Sequence, residues 1–253
     1  MNLNVANEIN SRVLNVNDDD EKVKRIFSWI NDEFEWVETD YIERTVEEIL
    51  IRKAGNCAEH AKVVEKVLNY IEIKTRWILE INSQPRSMER QNFSNDLIEK
   101  HGDFYSIFGW NHNDHRWLEY YNKNTSQWVP IDTAFGVLGL NQWLKMRLSF
   151  TTESISTSQQ IIPFCIVSLD SNSSPFEVLS NFYLIDQFDK YYNGVLSKST
   201  LWEEWKILID ELTKLGIATY KSQNNLHKQQ DVIKQFTELY KKLKQEILTN
   251  PVL

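Results

Sequence analysis

Three residues of the types that act together in thiol catalysis occur in the sequence: Cys57, His115 and Asp132. A thiol attacks a carbonyl carbon as the thiolate, which a helix N-terminus or a nearby histidine stabilises. Cys57 follows Gly55 and Asn56 at the predicted start of a helix, so it meets the first of these conditions. A cysteine at such a position is more often a small apolar residue than a nucleophile. The case for catalysis therefore depends on the other two residues.

A predicted β-hairpin brings the histidine and the aspartate towards each other. His115 begins a strand-like run that reaches Tyr121, and Asp132 ends a second run that begins at Gln127. Residues 122–126 between them, Asn-Lys-Asn-Thr-Ser, have the composition of a turn. Because His115 and Asp132 lie about equally far from this turn, we expect them to be cross-strand neighbours. A carboxylate placed there can hold one imidazole nitrogen while the other faces a thiol.

Three helices and one strand are predicted to surround these residues. Acidic residues followed by an i, i+3, i+4, i+7 apolar stripe predict a helix over about 19–34. A capping box predicts a second helix that begins after Thr45, and Gly55 marks its end. Apolar residues at helical spacing predict a third helix over about 57–70, which opens on the cysteine, and β-branched residues predict a strand over 75–81.

The combination of motifs resembles the transglutaminase-like superfamily, whose members are related to papain-type thiol enzymes. The resemblance covers about residues 18–140 and rests on three segments in register. These are Asp20–Ile30 continuing to Phe34-Glu35-Trp36, then Gly55–Ala61, and last His115–Tyr120 followed by Trp128–Gly136. The order of cysteine, histidine and aspartate, and their separations, agree with that family.

This resemblance implies an α+β fold: a papain/transglutaminase-like core with N-terminal helices and a central antiparallel sheet, plus a mainly helical C-terminal extension. It implies that Cys57 is the nucleophile, that His115 is the base and acid, and that Asp132 orients the histidine. The implied reaction is acyl transfer from a peptide or protein amide, with backbone N–H groups at the helix start stabilising the oxyanion. The resulting thioester then reacts with water, as in a protease or amidase, or with an amine, as in a transglutaminase. By resemblance the supporting positions are Asn56, Trp117, Glu119 and Trp128.

The rest of the chain predicts an organisation in two parts. We expect a catalytic domain over residues 1–150 and a mainly helical extension over 151–253. In the extension, Ile161–Leu169 is a predicted strand, and a predicted helix that begins near Thr200 should stop at Gly216. A last amphipathic helix is predicted from Val232 to Ile247. Residues 83–113 are polar and irregular, which is typical of a functional lid or a poorly ordered loop.

Three alternatives stay open from the sequence. An arylamine N-acetyltransferase-like enzyme also uses cysteine, histidine and aspartate, although this chain lacks the double glycine before the cysteine. A zinc site is conceivable because Cys57-x-x-His60 and His112-x-x-His115 have metal-ligand spacing; otherwise His60 is interpreted as a supporting or solvent-facing residue. The third alternative is a transglutaminase-like module that binds a partner without catalysis.

The composition of the chain indicates which classes of partner and which cellular compartment to expect. The chain has 253 residues and a net charge of −8, which disfavours nucleic-acid binding by counterion release. Two cysteines are too few for a disulfide framework and fit a reducing compartment. No signal peptide and no run of about 20 apolar residues is visible. We therefore expect a cytoplasmic protein with a peptide or protein substrate, no cofactor, no metal and no membrane or nucleic-acid partner; the oligomeric state stays open.

Overall fold

A computed structural model of the chain describes residues 3–37, 42–83, 113–150, 162–222 and 230–249. The segment 83–113, predicted to be a functional lid or a poorly ordered loop, lies outside these ranges except for its two end residues. The helices are α1 (Leu3–Val13), α2 (Asp19–Glu33), α3 (Val46–Arg52), α4 (Cys57–Tyr70), α5 (Leu140–Leu148), α6 (Gln187–Tyr191), α7 (Trp202–Ser222) and α8 (Gln230–Thr249). The strands are β1 (Glu35–Trp36), β2 (Ala54–Gly55), β3 (Thr75–Asn82), β4 (Asn113–Asn122), β5 (Gln127–Asp132), β6 (Val137–Leu138), β7 (Pro163–Leu169) and β8 (Pro175–Val178).

Six of the strands form one sheet in the order β6-β5-β4-β3-β7-β8. Pairing is antiparallel between β4 and β5, between β5 and β6, and between β7 and β8. The hairpin between β4 and β5 pairs Asn122 with Gln127 and leaves 123–126 as the turn. The predicted α+β class, the N-terminal helices and the central antiparallel sheet are therefore confirmed.

The chain divides into two compact units, one of Met1–Ile78 with Arg116–Trp143 and the other of Leu79–His115 with Leu144–Leu253. We call them unit 1 and unit 2. The predicted organisation, a catalytic domain over 1–150 and an extension over 151–253, stays a prediction. Within the described ranges no helix is both long and apolar enough to cross a membrane.

Unit 1 is built on α2 and α4, whose sequences predicted them closely. The side chain of Asp18 caps α2 by accepting from Asp20 N, and three acidic residues fill the first turn. The helix buries Val23 and Ile26 together with residues of α4 such as Val64 and Leu68. Burial of one stripe on each helix explains why the periodicity of the sequence located both elements.

One helix end in unit 1 differs from the prediction. The helix after Thr45 has the predicted capping box with Glu48, but it ends at Arg52 rather than at Gly55. Lys53 takes the left-handed conformation, with φ of 50°, and its N–H bonds to Ile49 O. A lysine thus occupies the position where glycine is usual. Gly55 lies in the short strand β2 and does not end the helix.

Unit 2 has a core made largely of aromatic rings packed around α7. Trp205 lies at its centre, stacked on Phe236 with ring centroids 4.9 Å apart, and its indole N–H donates to Leu184 O over 2.8 Å. Strand β7 is buried along its whole length and packs against α7. The predicted strand near 161–169 and the last amphipathic helix are confirmed as β7 and α8.

The prediction that Gly216 stops a helix is wrong, because Gly216 lies inside α7. A Cβ atom at this position would lie 2.9 Å from Cys165 Sγ and 3.1 Å from Ile81 Cδ1. The glycine therefore permits close approach of α7 to the sheet, and it does not end the helix.

Candidate active site

Cys57 is the first residue of α4, at the N-terminus that the sequence predicted. Its thiol is free and partly exposed. Asn56 is the N-cap residue, and its side-chain oxygen accepts from Ala58 N at 3.0 Å and from Glu59 N at 3.1 Å. The cap fixes the first turn of the helix and so fixes the backbone that carries the thiol.

Glu59 is a residue of this site that the sequence reasoning missed. Its Oε2 accepts from Asn56 N at 3.0 Å, which completes a capping box, and its Oε1 lies 3.0 Å from Arg44 Nη1. Both partners of this ion pair are mostly buried. The spacing Asn56-x-x-Glu59 is a capping-box signal, and it could have identified Glu59 from the sequence alone.

A two-stranded parallel ribbon holds the backbone just before the cysteine. Strand β1 pairs with β2, and Trp36 lies opposite Gly55. Glu35 N donates to Lys53 O over 2.9 Å, and Val37 N donates to Gly55 O over 3.0 Å. A Cβ atom on Gly55 would lie 2.8 Å from Glu59 Cβ, so glycine is required for the turn between β2 and α4 to close.

His60 lies one turn after the cysteine and is buried. Its Nδ1 lies 3.1 Å from Thr133 Oγ1, and its Nε2 lies 3.3 Å from Glu35 O. The interpretation of His60 as a solvent-facing residue is therefore wrong, and the interpretation as a supporting residue is retained. Because Thr133 directly follows Asp132, this contact links the helix that carries Cys57 to the end of β5.

Asp132 and His115 are both buried, at 3% and 4% exposure. Asp132 ends β5 and pairs with Val137 of β6. The pairing of β4 with β5 extends from the hairpin turn as far as Leu118 and Ile131. Cys57 and Asp132 belong to unit 1, and His115 belongs to unit 2. Within unit 1 the structure thus links the helix of Cys57 to the strand end of Asp132, and the pairing of His115 with these two residues stays a prediction.

The three supporting positions on the hairpin lie inside the sheet structure. Trp117 is buried with its ring 5.9 Å from that of Trp143. Glu119 is buried and forms an ion pair with Arg76. The Arg76 guanidinium also lies over the ring of Trp128, 4.5 Å from its centroid. These contacts stabilise β4 and β5, the two strands of the hairpin.

The metal alternative depends on His112, which lies outside the described residues. Among the described residues, no group of three or more histidine, cysteine, aspartate or glutamate side chains could hold a metal ion. Both ring nitrogens of His60 lie within hydrogen-bonding distance of oxygen atoms of the protein.

Comparison with known proteins identifies the family of the core. The family model described as the transglutaminase-like superfamily matches residues 5–133, which include Cys57, His115 and Asp132. No curated protein matches the chain.

Solved structures of low similarity were also found. A candidate cysteine protease from Cytophaga hutchinsonii is 15% identical with a TM-score of 0.38, and the match covers 54% of this chain and 40% of that one. A candidate protease from Parabacteroides distasonis ATCC 8503 is 10% identical with a TM-score of 0.38, covering 69% of this chain and 27% of that one. A Rad4–Rad23 complex bound to a 6-4 photoproduct UV lesion is 9% identical with a TM-score of 0.37, covering 96% and 54%. The chain thus matches about half or less of the length of each of these structures.

Proposed function

Because the chain belongs to the transglutaminase-like superfamily, we propose that it is a thiol enzyme that transfers the acyl group of a peptide or protein amide. In this proposal Cys57 is the nucleophile, His115 is the general base and acid, and Asp132 orients the imidazole. The observation that carries the proposal is the position of Cys57. It is a free, partly exposed thiol at the first residue of a capped helix, within the span of the family match.

In the first step Cys57 would give its thiol proton to His115, and its Sγ would form a bond to the carbonyl carbon of the amide while an electron pair of the carbonyl moves to its oxygen. The amides of Ala58 and Glu59 already donate to Asn56 Oδ1, and His60 N donates to Asn56 O. The first turn of α4 also contains the N–H of Cys57, and among the described residues no acceptor bonds to it. It is therefore the backbone donor best suited to the oxyanion.

In the second step His115 would give a proton to the departing amine nitrogen, the C–N bond would break, and a thioester would remain on Cys57. Water or a second amine would then give a proton to His115 and attack the thioester, the C–S bond would break, and Cys57 would be released as the thiolate. The first acceptor makes the protein a protease or amidase, and the second makes it a transglutaminase.

The geometry of β4 and β5 supports the role of Asp132. Continuing the register of Leu118 with Ile131 sets Asp132 level with Trp117. His115 lies two residues before Trp117, on the same face of a pleated strand. We therefore expect His115 and Asp132 to be diagonal neighbours across the two strands, a separation that an aromatic side chain such as histidine can span.

The test is the rate at which iodoacetamide alkylates Cys57 between pH 5 and pH 9, followed by mass spectrometry of the peptides. We expect a rate that stays high below pH 7 in the wild type and falls at least about tenfold in His115→Ala, because the imidazole no longer stabilises the thiolate. Asp132→Asn should show a smaller loss of the same kind.

Asp20→Asn is the matched control for Asp132→Asn. Asp20 is another carboxylate of unit 1, and it accepts from Tyr120 Oη at 3.2 Å and from Asn122 Nδ2 at 2.6 Å, near the hairpin turn. Its substitution should lower the melting temperature without changing the alkylation profile. A wild-type profile like that of a free thiol, unchanged in His115→Ala, would refute the triad and favour the binding module. A positive result would be followed by peptide amides offered with and without a fluorescent primary amine.

A further inference from the structure

One buried hydrogen-bond chain joins the two elements that carry Cys57 and Asp132. It runs from Glu35 O through the His60 ring to Thr133 Oγ1, with heavy-atom distances of 3.3 Å and 3.1 Å. The ring of Phe34 packs edge-on against the imidazole, with centroids 6.2 Å apart. His60 is 1% exposed and Thr133 is 6% exposed, so water competes little for these bonds.

The partners of His60 define which nitrogen carries the proton. Glu35 O is a carbonyl oxygen and can only accept, so Nε2 is the donor in that contact. In the neutral ring Nδ1 is then an acceptor, and the Thr133 hydroxyl donates to it. The bond therefore needs both an imidazole at position 60 and a hydroxyl at position 133.

We propose that His60 and Thr133 are a positioning pair that sets the place of Cys57 relative to Asp132. His60 lies three residues after Cys57 on the same side of α4, and Thr133 directly follows Asp132. The pair is not a catalytic group, since it acts through the elements that it joins. This inference rests on the proposed function, and a shift of about 1 Å at a reacting group can reduce a rate roughly 100-fold.

If the pair had only a structural role, removal of the Thr133 hydroxyl would affect the protein in the same way as removal of any other buried hydroxyl. Thr213 supplies the comparison, because it is 5% exposed and its Oγ1 donates to Phe164 O over 3.3 Å in unit 2. Thr→Val at either position removes a buried hydrogen bond with little change of volume. The two variants should thus lower the melting temperature to a similar extent.

The experiment compares Thr133→Val, Thr133→Ser and Thr213→Val with the wild type, by the rate of Cys57 alkylation at pH 7 and by the melting temperature. We expect Thr133→Val to lower the alkylation rate roughly tenfold or more, whereas Thr133→Ser keeps it within about threefold because the hydroxyl is retained. Thr213→Val should lower the melting temperature to a similar extent and leave the alkylation rate unchanged. Thr133→Ala is the second variant if the additional methyl group of valine prevents folding.

Two negative outcomes have different meanings. A wild-type rate that depends on His115 but is unchanged in Thr133→Val, or is reduced equally in Thr213→Val, would overturn the positioning pair alone. A wild-type rate that His115→Ala leaves unchanged would overturn the proposed function, and the pair's role in it would fall at the same time.

Discussion

The two cysteines of the chain occupy opposite environments. Cys57 lies at the capped N-terminus of α4, partly exposed and bordered by polar groups. Cys165 lies in the middle of β7, where it is fully buried beneath α7 and its Sγ is 3.7 Å from Thr213 O. Burial raises the pKa of the Cys165 thiol from 9.0 to about 12. The same side chain is thus a candidate nucleophile in unit 1 and a packing residue in unit 2.

A glycine lies against each of these sites, and it has a different purpose in each. Gly55 lets the chain turn into α4 beside Glu59, and Gly216 lets α7 approach Cys165. A glycine that permits close backbone approach therefore does not by itself indicate a catalytic site. What separates the two sites is the polar network around Asn56 and Glu59, compared with the packing of α7 on the fully buried strand β7.

The largest expected effect is in the rate of alkylation of the two thiols in the native protein. At pH 7 a thiol with a pKa of about 12 is thiolate in only about one molecule in 100,000, and burial also excludes the reagent. We therefore expect iodoacetamide to modify Cys57 at least about 1,000-fold faster than Cys165. Peptide mass spectrometry after timed quenching measures both rates in one sample.

The control for this comparison is the unfolded chain. In concentrated guanidinium chloride the two cysteines should react within a few-fold of each other, since the environment of each is then water. Comparable rates in the native protein would mean that β7 opens readily, and the contrast between the two sites would not hold.

The second effect is on the pH dependence of stability above pH 9, to which the buried thiol of Cys165 should contribute. The native state holds the Cys165 proton to about pH 12, whereas the unfolded state releases it near pH 9. Below pH 9 both states bind the proton. Above pH 9 the unfolded state binds fewer protons, so the free energy of unfolding falls by about 1.4 kcal/mol per pH unit until the native thiol also titrates.

Urea unfolding of the wild type and of Cys165→Ala at pH 8, 9, 10 and 11 measures this slope. The variant should be less stable at pH 8 because it has a cavity, and the difference between the two proteins should narrow by about 1.4 kcal/mol for each unit above pH 9. The contributions of the tyrosines, including Tyr192 with its pKa raised to about 12 by burial, are common to both proteins and cancel. A constant difference would show that Cys165 is not held in its neutral form by the fold.

The sequence predicted unit 1 more completely than unit 2, for a physical reason. In unit 1 the elements have local signals: an acidic first turn for α2, a capping box for α3, and apolar spacing for α4, all of which the structure confirms. Strand β5 was likewise predicted with both of its ends. Such signals depend on residues within one or two turns, so they can be read without knowledge of the tertiary structure.

Contacts between distant parts of the chain could not be predicted in the same way. Gly216 was interpreted as a helix end because glycine has low helix propensity, but its reason is a contact with Cys165, 51 positions earlier in the sequence. The bond of His60 to Thr133 spans 73 residues, and nothing local marks the histidine as buried. In the candidate site the residue types and the helix start could be predicted, whereas the bonds that hold α4 against the end of β5 needed the structure.

The smallest expected effects concern the two glycines, and they test the comparison most directly. In Gly216→Ala the new Cβ would lie 2.9 Å from Cys165 Sγ, and in Gly55→Ala it would lie 2.8 Å from Glu59 Cβ. Overpacking costs about 1–3 kcal/mol, and the helix-propensity gain of about 1 kcal/mol applies to Gly216 alone. We expect both variants to be destabilised, by about 1–2 kcal/mol in urea unfolding. Adding Cys165→Ala to Gly216→Ala should recover part of the lost stability.

Only Gly55→Ala should also slow the alkylation of Cys57, by several-fold, because the displaced Glu59 disturbs the cap. Equal slowing in Gly216→Ala would mean that the thiol reports general loosening of the fold, and the polar network around Asn56 would then have no special part in its reactivity.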